Sequence, residues 1–191
     1  MNTGLFFGSF NPIHIGHLAI ANYMLEFSGL EEIWLIVSPH NPLKKEKDLL
    51  NETHRLKMVQ LALPKDSKIK PSAIEFNLPK PSYTIDTLNF LSGEYPDKEF
   101  KIILGTDNFK SLHQWKNYKD ILTNYAMLVY PRAGYDIGEY KNYPNISLID
   151  APLIEISSTF IRKSLQIGKN LKYFLPCGIY DYIYKNHFYE K

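Results

Sequence analysis

Short apolar runs that alternate with helical patterns are the feature that most constrains the fold of this chain. Four such runs have the length and composition of buried strands: Leu5 to Phe7, Ile33 to Val37, Ile102 to Leu104 and Met127 to Val129. Strands that alternate with helices are joined by right-handed crossovers and form a mainly parallel sheet with helices on both faces. We therefore predict an open, mainly parallel α/β sheet.

Helical patterns occupy the stretches between and after these runs. They lie from about His17 to Phe27, around Leu56, Val59 and Leu63, at Ile121 and Leu122, from Ser157 through Leu165 to Gly168, and from Gly178 to Tyr184. Gly168 stands where a helix C-cap is expected. The segment from Asn41 to Asn51 is polar and rich in lysine, so we predict an exposed loop that could move over an active site.

Composition narrows the class of protein. A chain of 191 residues, 45% of them hydrophobic, can bury one substantial core, so we predict a single domain over residues 1–191. The formal charge of +2 argues against broad electrostatic binding to nucleic acid or to an anionic membrane. Cys177 is the one cysteine, which excludes an internal disulfide and fits a reducing compartment. The sequence shows no signal peptide and no membrane-spanning run, so we expect a cytoplasmic protein and leave homo-oligomerisation open.

The connection between the first strand and the first helix carries a candidate phosphate-binding loop. Residues 8–17 read GSFNPIHIGH. In an open α/β sheet, ligands bind beyond the carboxyl ends of the strands, where a helix N-terminus offers free N–H groups and a favourable dipole for phosphate. Because His14 and His17 are three residues apart, both imidazoles could project to the same side and meet one phosphate.

Two other interpretations of this loop stay open. The glycines could serve only to form tight turns, while the histidines cap or pack the helix. A zinc site is the weaker alternative, because no cysteine and no third ligand at helpful spacing accompanies the two histidines. The segment has neither the Gly-Lys-Ser/Thr ending of a Walker loop nor the three-glycine dinucleotide fingerprint.

A second candidate phosphate element lies about 140 residues later, where residues 156–162 read ISSTFIR. Ser and Thr at a helix start are ordinarily caps. Arg162, one turn into the predicted helix, favours phosphate binding over capping alone. Hydroxyl groups, free N–H groups and a guanidinium on one helix end form a multidentate phosphate site.

Together the two elements resemble the signatures of the HxGH nucleotidylyltransferase superfamily, Gly-x-Phe-x-Pro-x-His-x-Gly-His and Ile-Ser-x-Thr-x-x-Arg. The resemblance implies a Rossmann-like fold and nucleotidyl transfer from ATP without a covalent enzyme intermediate. It also implies catalytic roles for His14, His17, Lys44 and Arg162. ATP contacts are implied for Gly8, Ser9, Phe10, His14, Gly16, His17, Gly105, Asp107, Ile156, Ser157, Ser158, Thr159 and Arg162.

Residues in the middle of the chain indicate which acceptor receives the nucleotidyl group. Residues 81–84 read PSYT and are followed by Thr87 and Leu88, and residues 104–107 read LGTD and are followed by Trp115. Both blocks resemble elements of bacterial nicotinate mononucleotide adenylyltransferases, in which the Trp stacks on the pyridine ring. Arg132-Ala133-Gly134 resembles an Arg-x-Gly position of the same enzymes. By these resemblances the acceptor-binding residues are Ser82, Tyr83, Thr84, Asp107, Trp115 and Arg132. Taken locally, the same residues also fit a Pro-containing turn, helix caps and a core Trp.

The chain departs from the family pattern in two places. Leu43 stands where the family's exposed loop usually has His, although Lys44 keeps the neighbouring positive charge. His40 could substitute for the missing imidazole or be a bystander. In the first motif, Ser9-Phe10-Asn11 replaces the commoner Thr-Phe-Asp, and Ser9 keeps a hydroxyl.

The resemblance implies that the 5′-phosphate of nicotinate mononucleotide attacks the α-phosphorus of ATP, which releases pyrophosphate. Mg²⁺ would arrive bound to ATP, because the sequence shows no protein-built metal cage. Related acceptors, nicotinamide mononucleotide or phosphopantetheine, are the closest alternatives. A nucleotide-binding or sensing module without catalysis is the alternative from another class.

Overall fold

The computed structural model describes residues 1–40 and 49–190. Six parallel strands form one sheet in the spatial order β3-β2-β1-β4-β5-β6. The strands are β1 Asn2–Gly8, β2 Glu32–Val37, β3 Ile69–Ser72, β4 Glu99–Gly105, β5 Ala126–Tyr130 and β6 Ile146–Leu148. The parallel α/β sheet predicted from the alternating pattern is therefore confirmed.

Six α-helices connect and cover the strands. They are α1 Ile15–Phe27, α2 Glu52–Ala62, α3 Thr84–Glu94, α4 Tyr118–Asn124, α5 Ser158–Gln166 and α6 Ile179–Lys185. Within residues 1–40 and 49–190, five short 3₁₀ turns, including Ile74–Asn77 and Thr106–Lys110, lie in the connections. None of the helices among the described residues is long and apolar enough to cross a membrane.

Successive residues of each central strand face opposite sides of the sheet. Leu5 and Ile102 belong to a core shared with Leu88 of α3, whereas their neighbours Phe6 and Ile103 belong to the core on the other side. That second core contains the buried residues of four helices, α1, α2, α5 and α6. Helices thus cover both faces, which is why the central strands contain long apolar runs.

The strand order reverses between β1 and β4, which are adjacent in the sheet although two strands separate them in sequence. Loops that follow the two strands leave the carboxyl edge of the sheet there. Such a reversal creates the crevice in which open α/β sheets bind their ligands. Gly8 and Gly105 end the two strands and therefore mark this crevice.

All four predicted strands are present, and β3 and β6 were not predicted. β3 reads IKPS and contains a lysine and a proline, while β6 has three residues. Both lie at the edges of the sheet, where a strand can be short and polar and can contain Pro. The C-cap of α5 is Ile167, and Gly168, predicted at that position, follows it with a left-handed φ of +72°.

A charged cluster lies at the opposite, amino end of the strands. The carboxylate of Glu32 accepts hydrogen bonds from Lys70 and Lys98, each at 2.6 Å, and from the hydroxyl of Thr3. Although burial alone raises the pKa of Glu32, the two lysines lower it to about 2. The cluster therefore ties β1, β2, β3 and the start of β4 together at neutral pH.

Candidate active site

The loop between β1 and α1 is shaped by Phe10, which is 2% exposed and has a left-handed φ of +45°. A side chain at Gly8 would have its Cβ 2.8 Å from the Phe10 ring, so only glycine fits there. Backbone conformations of this kind are stable only where the surrounding structure holds them. The Phe10 ring packs edge-on against the His17 ring, with centroids 5.1 Å apart, and so helps to hold the imidazole in place.

His14 and His17 lie at the start of α1, and their rings stack with centroids 3.7 Å apart and planes 24° apart. The prediction that the two side chains project to the same side is confirmed. The main-chain N–H of His14 donates to Nδ1 of His17 at 3.3 Å. Because Nδ1 is the acceptor, a neutral His17 carries its proton on Nε2.

His14 is the more buried of the two histidines, with 3% of its surface exposed. Burial, with a smaller effect from the positive charge of Arg132, lowers the pKa of His14 to about 4. At neutral pH this imidazole is therefore an uncharged hydrogen-bonding group. Its Nδ1 is buried and has no hydrogen-bond partner within residues 1–40 and 49–190. A Cβ at residue 16 would lie 3.0 Å from that atom, which explains Gly16.

The two sequence elements meet in space, because α5 begins against the loop between β1 and α1. Ser157 caps α5 and accepts from the N–H of Phe160. The hydroxyl of Ser158 donates to the carbonyl of Pro12 at 2.9 Å, and Nη1 of Arg162 donates to the carbonyl of Asn11 at 2.8 Å. Ser157 thus acts as the ordinary cap that sequence reasoning allowed, while its neighbours contact the loop.

Arg132 lies beside the histidines. It lines a small pocket, here called the histidine pocket, formed by Phe6, His14, Gly16, His17, Ile20, Tyr130, Arg132, Ile154 and Ile156. Its Nη1 donates to the carbonyl of Ile154, and its Nε is 3.8 Å from a carboxylate oxygen of Asp107. A Cβ at residue 105 would collide with Asp107 and Arg132, so Gly105 permits this pairing. The predicted acceptor contact of Arg132 stays a prediction.

A larger cavity opens beside the carboxyl ends of β1, β2 and β4, and we call it the aromatic cavity. Four residues predicted to bind the acceptor, Ser82, Tyr83, Thr84 and Trp115, line it together. Gly8 and Ser9 line it from the loop after β1. Lys116 lies 4.9 Å from the Tyr83 ring centroid and also pairs with Asp86 at 2.9 Å, which fixes Tyr83 beside Trp115.

The histidine pocket and the aromatic cavity share two walls, Phe6 and Tyr130. Both residues come from central strands, β1 and β5, and their rings contact each other edge-on at 6.0 Å. A ligand in one pocket would therefore lie next to a ligand in the other. This adjacency is what a two-substrate transfer reaction requires.

Glu75 is a site residue that sequence reasoning missed. It lines the aromatic cavity, is 2% exposed, and accepts a hydrogen bond from the Thr87 hydroxyl at 2.8 Å. Burial raises the pKa of its carboxyl, although the nearby hydroxyls of Thr87, Ser38 and Ser82 act in the opposite direction. An acidic residue within the apolar stretch Ile74 to Phe76 was the available signal.

Arg55 was also missed, although it is fully buried. Its guanidinium donates to the carbonyls of Ser9 and Ser38, each at 2.7 Å, and to those of Pro39 and Leu50, at 2.9 and 2.8 Å. These four carbonyls belong to the loop after β1, the loop after β2 and the chain just before α2. Arg55 therefore fixes the loops that line both pockets.

The remaining predicted residues are distributed as follows. Thr159 is exposed on the first turn of α5 and lines a surface pocket with Arg162. Leu43 and Lys44 lie outside the described residues. The carbonyl of His40 accepts from the main-chain N–H of Ser82, so the chain after β2 contacts the acceptor segment. Within the described part of the chain, no group of three or more His, Cys, Asp or Glu residues could hold a metal ion.

Comparison with known proteins places these features in a family. The sequence model of the family described as cytidylyltransferase-like matches residues 5–164. The chain is 53% identical to a Flavobacterium johnsoniae protein described as "probable nicotinate-nucleotide adenylyltransferase", with each chain covered fully. It is 49% identical to a Bacteroides fragilis protein of the same description, over 95% of this chain and 90% of the relative.

A solved structure shares the fold. The nicotinic acid mononucleotide adenylyltransferase of Plasmodium falciparum, complexed with NaAD, superposes with a TM-score of 0.85 at 24% identity, over 98% of this chain and 97% of the other. The parallel sheet with its reversal between β1 and β4 is thus the Rossmann-like fold of that protein. By the match to residues 5–164 and the full-length relatives, this chain belongs to the cytidylyltransferase-like family, among the nicotinate-nucleotide adenylyltransferases.

Proposed function

We propose that this chain is a nicotinate-nucleotide adenylyltransferase, which transfers the AMP part of ATP to nicotinate mononucleotide and forms nicotinate adenine dinucleotide and pyrophosphate. One observation carries the proposal. Two stacked histidines at a helix start adjoin, through the shared walls Phe6 and Tyr130, a cavity lined by Tyr83 and Trp115. A phosphate-binding region and a platform for a flat heterocycle are therefore neighbours.

In the proposed reaction, an oxygen of the 5′-phosphate of nicotinate mononucleotide attacks the α-phosphorus of ATP. A new phosphorus–oxygen bond forms there, the bond from the α-phosphorus to its bridging oxygen breaks, and pyrophosphate leaves with that electron pair. No side chain needs to become covalently attached. Catalysis then depends on positioning and on hydrogen-bond donors aimed at the developing negative charge.

Each phosphate-side residue has a physical role in this proposal. His17 offers the Nε2 proton of a neutral imidazole, oriented by the N–H of His14. His14 is uncharged in the free protein, and a bound triphosphate favours its protonated form, so it can gain a charge when ATP arrives. Arg162 and the hydroxyl residues at the start of α5 supply further donors, as does Lys44 in the prediction from sequence.

On the acceptor side, Trp115 and Tyr83 supply aromatic faces to the pyridine ring, and Ser82 and Thr84 supply polar groups. Asp107 follows β4 and can accept hydrogen bonds from ribose hydroxyls. Mg²⁺ belongs to the substrate in this proposal, bound to the triphosphate whose charge it partly neutralises.

The product distinguishes this proposal from its rivals. With ATP labelled at the α-phosphorus, the label should appear in nicotinate adenine dinucleotide while unlabelled pyrophosphate is released. ATP in which sulfur replaces one non-bridging α-phosphoryl oxygen, so that the α-phosphorus is a stereocentre, should react with inversion at phosphorus, because direct transfer is a single displacement. Retention would indicate two displacements through an enzyme-bound intermediate. ATP binding without any labelled dinucleotide would favour a non-catalytic nucleotide-binding module.

Location in the cytoplasm, a single domain and homo-oligomerisation stay predictions from sequence. Cell fractionation, limited proteolysis and light scattering test the three in turn.

A further inference from the structure

The C-terminal segment returns to the phosphate loop. After α6 ends at Lys185, the chain turns through His187 and Tyr189, whose φ angles are +53° and +64°. Left-handed conformations at two non-glycine residues are uncommon and turn the chain sharply. The turn brings half-buried Tyr189 against the core shared by α1, α2 and α5. The segment after α6 is therefore packed into the protein beside the site.

The Tyr189 hydroxyl donates to Oδ1 of Asn11 at 2.7 Å, across 178 residues of sequence. Asn11 is 3% exposed and lies in the loop between Gly8 and His14. Its main-chain carbonyl accepts from Arg162 at 2.8 Å, and its Oδ1 also accepts from the N–H of Leu50 at 3.4 Å. Asn11 is thus held from three directions, by α5, by the chain before α2 and by the C-terminal segment.

The surroundings of Tyr189 keep its hydroxyl a donor. Burial raises the pKa of Tyr189 above its ordinary value, although the guanidinium groups of Arg162 and Arg55 act in the opposite direction. Because the main-chain N–H of Leu50 can only donate, Oδ1 of Asn11 faces Leu50, and the protonated Tyr189 hydroxyl donates to the same oxygen.

We propose that Tyr189 is a positioning residue for ATP: its hydroxyl fixes Asn11, and through Asn11 it sets the register between the phosphate loop and Arg162. The inference rests on the function proposed above. It assigns a role in ATP binding to the last residues of the chain, which lie outside residues 5–164 matched by the family. Tyr189 acts through Asn11.

The conservative substitution Tyr189→Phe removes one hydroxyl and keeps the ring. We expect kcat/KM for ATP to fall about five- to tenfold, as for the loss of one hydrogen bond, while KM for nicotinate mononucleotide stays within twofold of wild type. The matched control is Tyr184→Phe, because Tyr184 is 69% exposed and lies near the end of α6, five residues before Tyr189. Unchanged kcat/KM for ATP in Tyr189→Phe would overturn the inference, as would equal losses for both substrates.

A second measurement does not depend on turnover. Amide hydrogen exchange of residues 9–14 in the free protein should be faster in Tyr189→Phe and unchanged in Tyr184→Phe. In a double-mutant cycle with Asn11→Ala, removing the hydroxyl should add no further acceleration, because both changes break the same bond. Equal exchange in wild type and Tyr189→Phe would refute the inference even in an active enzyme. An inactive wild type with the expected exchange pattern would refute the proposed function alone.

Discussion

The proposed phosphate side of the site comprises the loop between β1 and α1 and the start of α5, and the proposed acceptor side is the aromatic cavity. The two sides are held together by different interactions. On the phosphate side, the guanidinium groups of Arg55, Arg132 and Arg162 donate to main-chain carbonyls of loops. On the acceptor side, side chains contact each other, as in the pairing of Thr87 with Glu75 and of Lys116 with Asp86. Arginine side chains bonded to the backbone hold the phosphate side, whereas contacts between side chains, among them two carboxylates, hold the acceptor side.

This difference matches what each side would bind. A guanidinium that donates to a neutral carbonyl keeps its positive charge, so it still attracts a triphosphate nearby. Arg132, which also lies 3.8 Å from Asp107, is partly neutralised. An aromatic wall carries no net charge and suits a flat ring, which binds through buried apolar area and ring stacking. The comparison therefore predicts that substitutions on the two sides will affect different kinetic constants.

The largest effect is expected from His17→Ala, which removes the donor oriented by the N–H of His14. We expect kcat to fall about 100- to 1,000-fold, as for the loss of one donor to a developing anion, without a change in melting temperature. Pyrophosphate release under saturating substrates measures it. The control is His113→Ala at an exposed histidine. Near-normal turnover of His17→Ala would show that His17 does not contribute to the chemical step.

Arg55 tests how strongly the loops after β1 and β2 depend on one buried guanidinium, since it holds Ser9 and Ser38 at once. Arg55→Met leaves buried carbonyls without donors, so we expect the free energy of unfolding to fall by about 3 kcal/mol. Urea unfolding measures this loss. Lys57→Met, at an exposed cation on the same helix, should change stability by less than about 0.5 kcal/mol. Equal effects of the two substitutions would show that the buried guanidinium contributes little.

The low pKa of His14 predicts an acid-dependent loss of stability on the phosphate side. Below its unfolded pKa of 6.5, the unfolded chain takes up a proton that the folded chain refuses until about pH 4. The free energy of unfolding therefore falls as the pH is lowered, by about 2 kcal/mol from pH 6.5 to pH 5. Denaturant unfolding at both pH values should show this loss in wild type and not in His14→Gln. Glu32, with a pKa of about 2, contributes only at lower pH. Identical pH dependence in both proteins would contradict the assignment.

Trp115→Ala sharpens the comparison from the acceptor side. Removal of one stacking face should raise KM for nicotinate mononucleotide about tenfold, while KM for ATP stays near its wild-type value. Trp115→Phe should recover part of the loss because it restores an aromatic face. Tyr173→Ala, at a side chain that is 91% exposed, should change neither constant. A rise in KM for ATP alone would contradict the proposed contact between Trp115 and the acceptor.

The sequence predicted best the features that are local. The loop from Gly8 to His17 and the start of α5 are continuous segments, and each forms the predicted strand-loop-helix or helix start. Spacing alone determined that His14 and His17 share a face. The four central strands were equally recognisable, because strands covered on both faces are apolar throughout.

Features that depend on distant contacts were not predictable. Arg55 and Tyr189 resemble ordinary surface residues in the sequence, and the one signal for Glu75 is its position in the apolar stretch Ile74 to Phe76. The roles of Arg55, Glu75 and Tyr189 arise from bonds to residues 46, 12 and 178 positions away, respectively. The uncharged state of His14 follows from its burial, which no spacing rule reports. Edge strands β3 and β6 were missed because an edge tolerates polar residues and short length.

The central claim is adenylyl transfer to nicotinate mononucleotide, and one side-by-side assay tests it most directly. Pyrophosphate release would be followed with ATP and Mg²⁺ and, in parallel, with nicotinate mononucleotide, nicotinamide mononucleotide or phosphopantetheine as acceptor. We expect release to be fastest with nicotinate mononucleotide. Faster release with either of the other two would contradict the acceptor, and no release with any of the three would contradict the transfer reaction itself.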